Sequence, residues 1–479
     1  MSTTTSETSI FAPLDAAQLI RQGLAGQPDA SGKRRVHKRR LNRSSDEEHR
    51  RLPLDVSLQS QPEDDIFASI PDQLISHASI EYVGFSKAKA DEIWNSWNNW
   101  PSFGPRRETD PDDGGLQVTF LDFISGHIAS SFDTSEDDDG QWTNCMNRNG
   151  LAIELQHAIL DPHFKYLRLS KSCAEWSRDT VHMRYAGLQE IQRASRDRAM
   201  ALQRAGYRLA AHSDNGSSAS VLEPPSASTS SRPGQRSISG MQRDMAPGIS
   251  AESSNSASAI AARNAPGHVV LFKAIDQGRI SGLLDDHGRL KQIETLRSPA
   301  PTDFSGTRSH FYFTPDFKVA QYYAAYAKRR ANVESVVMVC ITIPNHVIEG
   351  MEEGEIQRLY WPSPEWKQFV WYNRTAKALP RSLREYRTAT LIIGTIARKP
   401  NSAYHQLRSW EDMSESWVLK VDGQDGMKTA IQYVFSGEED GQDLLTQHVS
   451  ENIKVYPFPA SELDEWMEQH QPSWESFSL

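Results

Sequence analysis

Several stretches of the chain hold side chains of the type and spacing that chemistry requires. The run KRRVHKRRLNRSS, Lys33 to Ser45, packs cations densely enough to touch phosphate or to be read by a nuclear import receptor, with the stretch from Lys33 to Arg43 as the element recognised. The run DTSEDDDG, Asp133 to Gly140, has the carboxylate density of a calcium loop. Its glycine is not at the sixth position and no glutamate closes it, so a solvated loop is the better reading. Cys145, Cys173 and Cys340 show no CxxC and no metal-ligand spacing, which fits a reducing compartment and gives no metal site. His310 and His346 lack partners at ligand spacing and read as structural. No Walker loop, GxGxxG, HExxH or GxSxG occurs, which removes support for kinase, Rossmann dehydrogenase, zinc protease and α/β-hydrolase chemistry.

The elements that must position any such chemistry divide unevenly along 479 residues, too many for one ordinary core. Only 38% of residues are apolar and the mean hydropathy is -0.59, so part of the chain is expected to join no core. A net charge of -10 argues against nucleic acid as a whole-chain partner. Neither a secretory signal nor a membrane-length apolar run is visible, so the expectation is a soluble intracellular protein, nuclear or cytoplasmic, without a membrane partner.

Residues 1–65 lack a period and read as disordered around the basic cluster, with one short helix near Pro13 to Gln22. Residues 66–211 carry Trp94, Trp97, Trp100, Trp142 and Trp176 and read as mostly helical. In this region Ser86 starts a helix that Pro101 stops, and Gly187 to Tyr207 forms a second that ends at Gly206. Residues 212–266 are Ser, Ala, Pro and Gly-rich and read as a disordered linker. A folded domain then spans 267–459, followed by a tail, 460–479.

In the 267–459 region the period changes. HVVLFKAI, SHFYFT, VVMVCITI, TLIIGTIA and IQYVF are β-branched or aromatic runs bounded by breakers, which predicts five strands of a central sheet with helices against it. Between the second and third, TPDFKVAQYYAAYAKRR predicts a helix with Thr314 as N-cap, Phe317, Ala320, Ala324 and Ala327 on one face, and Lys328 to Arg330 at its negative end. Another helix opens at Ser363 and carries Trp366, Phe369, Val370 and Tyr372 across the sheet, and TLIIGTIA is apolar enough to be covered on both faces. The fold class is α+β.

LFKAI, FYFTPDFKVAQYYAAYA, EWKQFVWYNR, IIGTIA and QYVF, in that order from about Val269 to Phe458, resemble the ADP-ribosyltransferase-like proteins, in particular a subgroup spread through bacteria and fungi. The resemblance implies a mixed sheet with flanking helices and NAD as substrate, with no metal. It implies a mono-ADP-ribosyltransferase or NAD glycohydrolase in which Tyr312 and Gln432 are catalytic, Gln432 standing at the place of the family's glutamate. It implies that Lys273, Phe313, Thr314 and Tyr323 hold the dinucleotide, Lys273 at the place of a His or Arg and Tyr323 offering a stacking ring. Lysine loses the planar two-donor geometry of arginine, and glutamine lacks the charge that stabilises an oxocarbenium ion. Glu355 could bring in a carboxylate. Asn373 and Arg374 would end their helix and pair with the acidic loop Glu352 to Glu355. The alternatives are a catalytically silent module that binds a protein or nucleotide, with the cleft plugged by Trp361 or Trp371 or with Lys273, Tyr312 and Gln432 scattered, and a nuclear scaffold.

Overall fold

The computed structural model describes residues 8–54, 58, 66–101, 103, 105–107, 117–214, 249–250, 252–264, 266–285, 287–423 and 426–470, which form an α+β protein with helices and open sheets. No helix among them is long and apolar enough to cross a membrane.

The N-terminal stretch departs from the expected disorder. Helix α1 (Pro13–Arg21) forms as the short helix expected there, and β1 (Lys33–His37) pairs antiparallel with β2 (Phe67–Pro71), Lys33 opposite Pro71 and His37 opposite Phe67. Val36 and Leu41 enter a small core with Ile10, Phe11, Leu19 and Ile70. The basic cluster is thus a strand and turn whose cations find acids that are distant in sequence: Lys33 meets Glu81 at 2.5 Å and Arg34 meets Asp72 at 2.8 Å. Arg39 pairs with the nearby Asp46 at 2.6 Å, so the charge run meets carboxylates both near and distant in sequence.

Next come α2 (His77–Val83), α3 (Lys87–Asn98), α4 (Phe120–Gly126), α5 (Asp139–Arg148), α6 (Ile153–Leu160) and the 42-residue α7 (Cys173–Asp214). Ser86 caps α3 as expected, its hydroxyl accepting from the Lys89 N–H at 3.4 Å. Helix α7 begins well before Gly187 and continues through Gly206, so the expected stop at that glycine is corrected. Its face Leu188, Ile191 and Val333 of the C-terminal region closes the N-terminal core. The acidic run caps and pairs: Asp138 accepts from the Gly140 and Gln141 N–H groups at the start of α5, Asp133 accepts from the Ala174 N–H at the start of α7, and Asp137 pairs with Lys165 at 2.8 Å.

Part of the expected linker is folded. Ile249 bridges Val455, and α8 (Ala257–Arg263) follows; residues 215–248 lie outside the described residues. The C-terminal region then runs β3 (His268–Asp276), β4 (Arg297–Ser298), β5 (His310–Phe313), α9 (Phe317–Arg330), β6 (Val336–Pro344), β7 (Ile356–Leu359), α10 (Pro364–Arg374), β8 (Leu391–Thr395), β9 (Ile431–Phe435), α11 (Glu439–Val449), β10 (Ile453–Phe458) and α12 (Ala460–Gln469). All five expected strands form. The expected tail is corrected: up to Gln469 it is α12, whose Trp466 stacks on Phe164 at 5.1 Å, and residues 471–479 lie outside the described residues.

The single central sheet is also corrected. The strands form two sheets, β4-β5-β9-β8-β7 and β10-β6-β3, antiparallel except where β7 runs parallel to β8. Leu271, Phe311, Phe313, Val339, Ile341, Leu391, Ile393 and Phe435 fill one core shared by both. Helix α10, capped by Ser363, sets Trp366, Phe369 and Val370 against Ile392 and Val434 on the other side, so β8 is covered on both faces. The sheets meet at a seam of two reciprocal backbone hydrogen bonds: the Phe272 N–H donates to the Thr314 carbonyl at 2.8 Å and the Thr314 N–H to the Phe272 carbonyl at 2.9 Å. Because Thr314 is engaged there, the N-cap of α9 falls to Asp316, whose carboxylate accepts from the Lys318 N–H at 3.0 Å.

Candidate functional site

The seam brings β3 beside β5, and β5 pairs in turn with β9, so residues 273, 312 and 432 approach one another from three strands. All six residues singled out from the sequence, Lys273, Tyr312, Phe313, Thr314, Tyr323 and Gln432, line one cavity of about 800 Å³. Their environments differ. The Phe313 ring is buried against Phe435 and serves the core. The Thr314 hydroxyl donates to the Ile431 carbonyl at 2.8 Å and so ties the seam to the residue before Gln432. The Tyr312 hydroxyl is held by Thr302, and burial raises its pKa, keeping it a neutral hydrogen-bonding group. Burial does the same to Tyr323, whose hydroxyl makes no hydrogen bond among the described residues. That ring, partly exposed on α9, offers an aromatic surface to a ligand.

Gln432 is buried and its amide is committed. Its Nε2 donates to Asp303 Oδ2 at 2.8 Å and to the Thr395 carbonyl at 3.4 Å. Asp303, 3% exposed, sits at the centre of this end of the cavity. Its Oδ2 also accepts from the Ala397 N–H at 2.9 Å, while Oδ1 takes Arg374 Nε at 2.7 Å and a second guanidinium nitrogen at 2.5 Å. Burial alone would lower the Arg374 pKa, but the Asp303 carboxylate more than offsets this and holds it above its usual value. The expected pairing of Arg374 with Glu352 to Glu355 is therefore corrected. Glu355 instead accepts from the Glu352 N–H at 2.7 Å in an exposed turn and does not line the cavity. Nor do Trp361 and Trp371 plug it: Trp361 lies edge-on to Trp366 at 5.5 Å, and the Trp371 indole donates to the Tyr404 carbonyl at 3.1 Å.

The opposite wall comes from a region the sequence reading left without chemistry. The turn before α7 and its first three turns supply Lys171, Trp176, Arg178, Asp179 and His182. Asp179 accepts from Arg279 at 3.0 Å and Arg330 at 2.9 Å, with Lys171 at 3.8 Å. Burial would raise the Asp179 carboxyl, yet Lys171, Arg279 and Arg330 hold it well below its usual range. Burial pushes Asp276 up to about 6, in part offset by Arg279 at 2.9 Å. Arg330, the last residue of α9, is held between the Trp176 and Tyr326 rings, 4.5 Å from each centroid.

Lys273 stands between the two ends. Its Nζ donates to Ser298 Oγ at 3.0 Å and to the Tyr312 carbonyl at 3.4 Å. Across the whole lining seven lysine and arginine side chains face four carboxylates, so the cavity is cationic in a chain of net charge -10. A cationic cavity of this size with a partly exposed aromatic ring in its lining is suited to an elongated anion that carries a planar ring. No protein-family model, curated protein or solved structure matches this chain.

Proposed function

We propose that the protein binds NAD in this cavity, as an ADP-ribosyltransferase-like module in which holding the dinucleotide outweighs cleaving it. The observation that carries the reading is the convergence of Lys273, Tyr312, Thr314, Tyr323 and Gln432, from three strands and a helix, on one cationic cavity of about 800 Å³. The basic wall would neutralise the pyrophosphate, and Tyr323 would face a planar ring of the ligand. The neutral Tyr312 hydroxyl and the Gln432 carbonyl would meet ribose hydroxyls.

Binding is favoured over turnover by the state of the acidic centre. Breaking the nicotinamide–ribose bond develops positive charge on the ribose, which an anionic group must stabilise. Gln432 supplies none, and the nearest carboxylate, Asp303, is compensated by Arg374 and already accepts from four N–H groups. Slow transfer to a protein acceptor, or slow hydrolysis, is the expected residual chemistry. The test is to incubate the full chain with labelled NAD and follow binding by equilibrium dialysis together with nicotinamide release and protein labelling. Saturable binding with slow release supports the reading; absence of binding overturns it, and rapid release abolished by Gln432→Ala would make the protein an efficient enzyme instead.

A further inference from the structure

The lining contains two lysines, and their surroundings differ. Lys171 has a carboxylate, Asp179, at 3.8 Å. Lys273 has none: its hydrogen-bond partners are the Ser298 hydroxyl and the Tyr312 carbonyl, both neutral, and the third N–H direction opens into the cavity. It projects from a strand whose backbone is locked by the full β3/β6 ladder, in which Lys273 lies opposite Val339, and by the seam at Phe272. An amine fixed in place, withdrawn from water and free of a counter-ion resembles in its physics the lysines that act as nucleophiles toward carbonyl groups. Withdrawal from water, followed by the nearby charges of Arg279 and Lys171, pushes its ammonium down to about 8. A useful fraction of neutral amine is then present near neutral pH. Around it the cationic wall would hold the phosphates of a sugar phosphate and leave its reducing end free to reach the amine.

We propose that Lys273 forms an imine with the aldehyde of a phosphorylated sugar, and specifically with the ring-opened terminal ribose of ADP-ribose, the product left when NAD loses nicotinamide to water. The identity of this sugar rests on the dinucleotide reading of the cavity. In the step, the lone pair of the neutral Lys273 Nζ adds to the aldehyde carbon and the carbonyl electron pair moves onto oxygen. The resulting carbinolamine expels that oxygen as water with the two amine hydrogens, leaving a carbon–nitrogen double bond and no change in oxidation state. Ser298 and the Tyr312 carbonyl position the nitrogen. The consequence would be a chain that retains ADP-ribose reversibly and covalently at Lys273.

The test incubates the full chain with ADP-ribose and cyanoborohydride, which reduces an imine to a stable amine, followed by intact mass measurement and peptide mapping. NAD binding is measured in parallel by calorimetry. The expected result is one adduct, mapped to Lys273, at least tenfold above any other lysine, lost in Lys273→Met and retained in the exposed-strand control Lys454→Met. Mapping on the unaltered chain decides the point even should Lys273→Met fail to fold. NAD binding without a Lys273 adduct, or label spread evenly over exposed lysines, overturns the imine while leaving the dinucleotide reading intact. Neither binding nor adduct overturns both.

Discussion

The substitution Gln432→Glu gives the site the carboxylate that the family resemblance would ask for, and the geometry predicts that it damages the protein. The amide nitrogen replaced by oxygen lies 2.8 Å from Asp303 Oδ2. Two negative charges at that separation repel by about 6 kcal/mol at an effective dielectric constant of about 20. The chain can escape by protonating one carboxyl, which costs about 1.4 kcal/mol for each pH unit above the ordinary glutamate pKa of about 4.3. Protonation is therefore the cheaper route up to about pH 8, where its cost reaches about 5 kcal/mol. The folded-state pKa of the new carboxyl is raised, so the penalty is absent below the unfolded pKa and grows as pH rises toward the folded one. Relative to the unaltered chain, Gln432→Glu should lose about 5 kcal/mol at about pH 8 and about 1 kcal/mol at about pH 5. Urea denaturation followed by tryptophan fluorescence at several pH values reads this directly. Equal stability of the two chains at about pH 8, or a loss that does not vary with pH, would show that Gln432 and Asp303 are not in contact and would refute the reasoning.

Arg374→Met leaves the Asp303 carboxylate buried and unpaired and should lower stability by about 3–5 kcal/mol in the same assay. Gly394→Ala should destabilise by about 1–3 kcal/mol, because a Cβ there would meet the Leu359 carbonyl oxygen at 2.3 Å and the Phe304 ring at 2.7 Å in a strand covered on both faces. NAD affinity should weaken as pH rises through about 8, where Lys273 loses its charge. Calorimetry should show a fall of about tenfold, equivalent to about 1.4 kcal/mol, that is absent in Lys273→Met.

Legibility followed locality. The five strands of the C-terminal region were readable because β-branched and aromatic runs such as VVMVCITI and TLIIGTIA have few alternatives to a covered strand. The helix α9 was readable in extent, whereas its cap was not, because Thr314 is diverted to a seam between two sheets that only tertiary pairing creates. The expected disorder around the basic cluster failed for the same reason: Glu81 and Asp72, which pair with Lys33 and Arg34, lie in other elements. At the site, the strand residues 273, 312 and 432 could be singled out only through the resemblance of their strand motifs, taken in order, to the ADP-ribosyltransferase-like proteins. Asp303 could not, since an aspartate in the PAPTDFSG loop looks like any turn residue until the fold buries it under Arg374 and Gln432. The α7 wall was equally hidden, because Lys171, Asp179, Arg279 and Arg330 form one cluster from three distant segments.

The central claim is that the cavity behind the β3/β5 seam accepts NAD. Calorimetric titration of the full chain with NAD, repeated with Tyr323→Ala and with Arg297→Met, Arg297 being one of the cations that line the cavity, tests it most directly. The account predicts a saturable one-to-one isotherm for the unaltered chain, weakened about tenfold or more in each variant and by added salt, since an aromatic face and a cavity cation are lost in turn. A flat titration, or an isotherm that neither substitution alters, would contradict it.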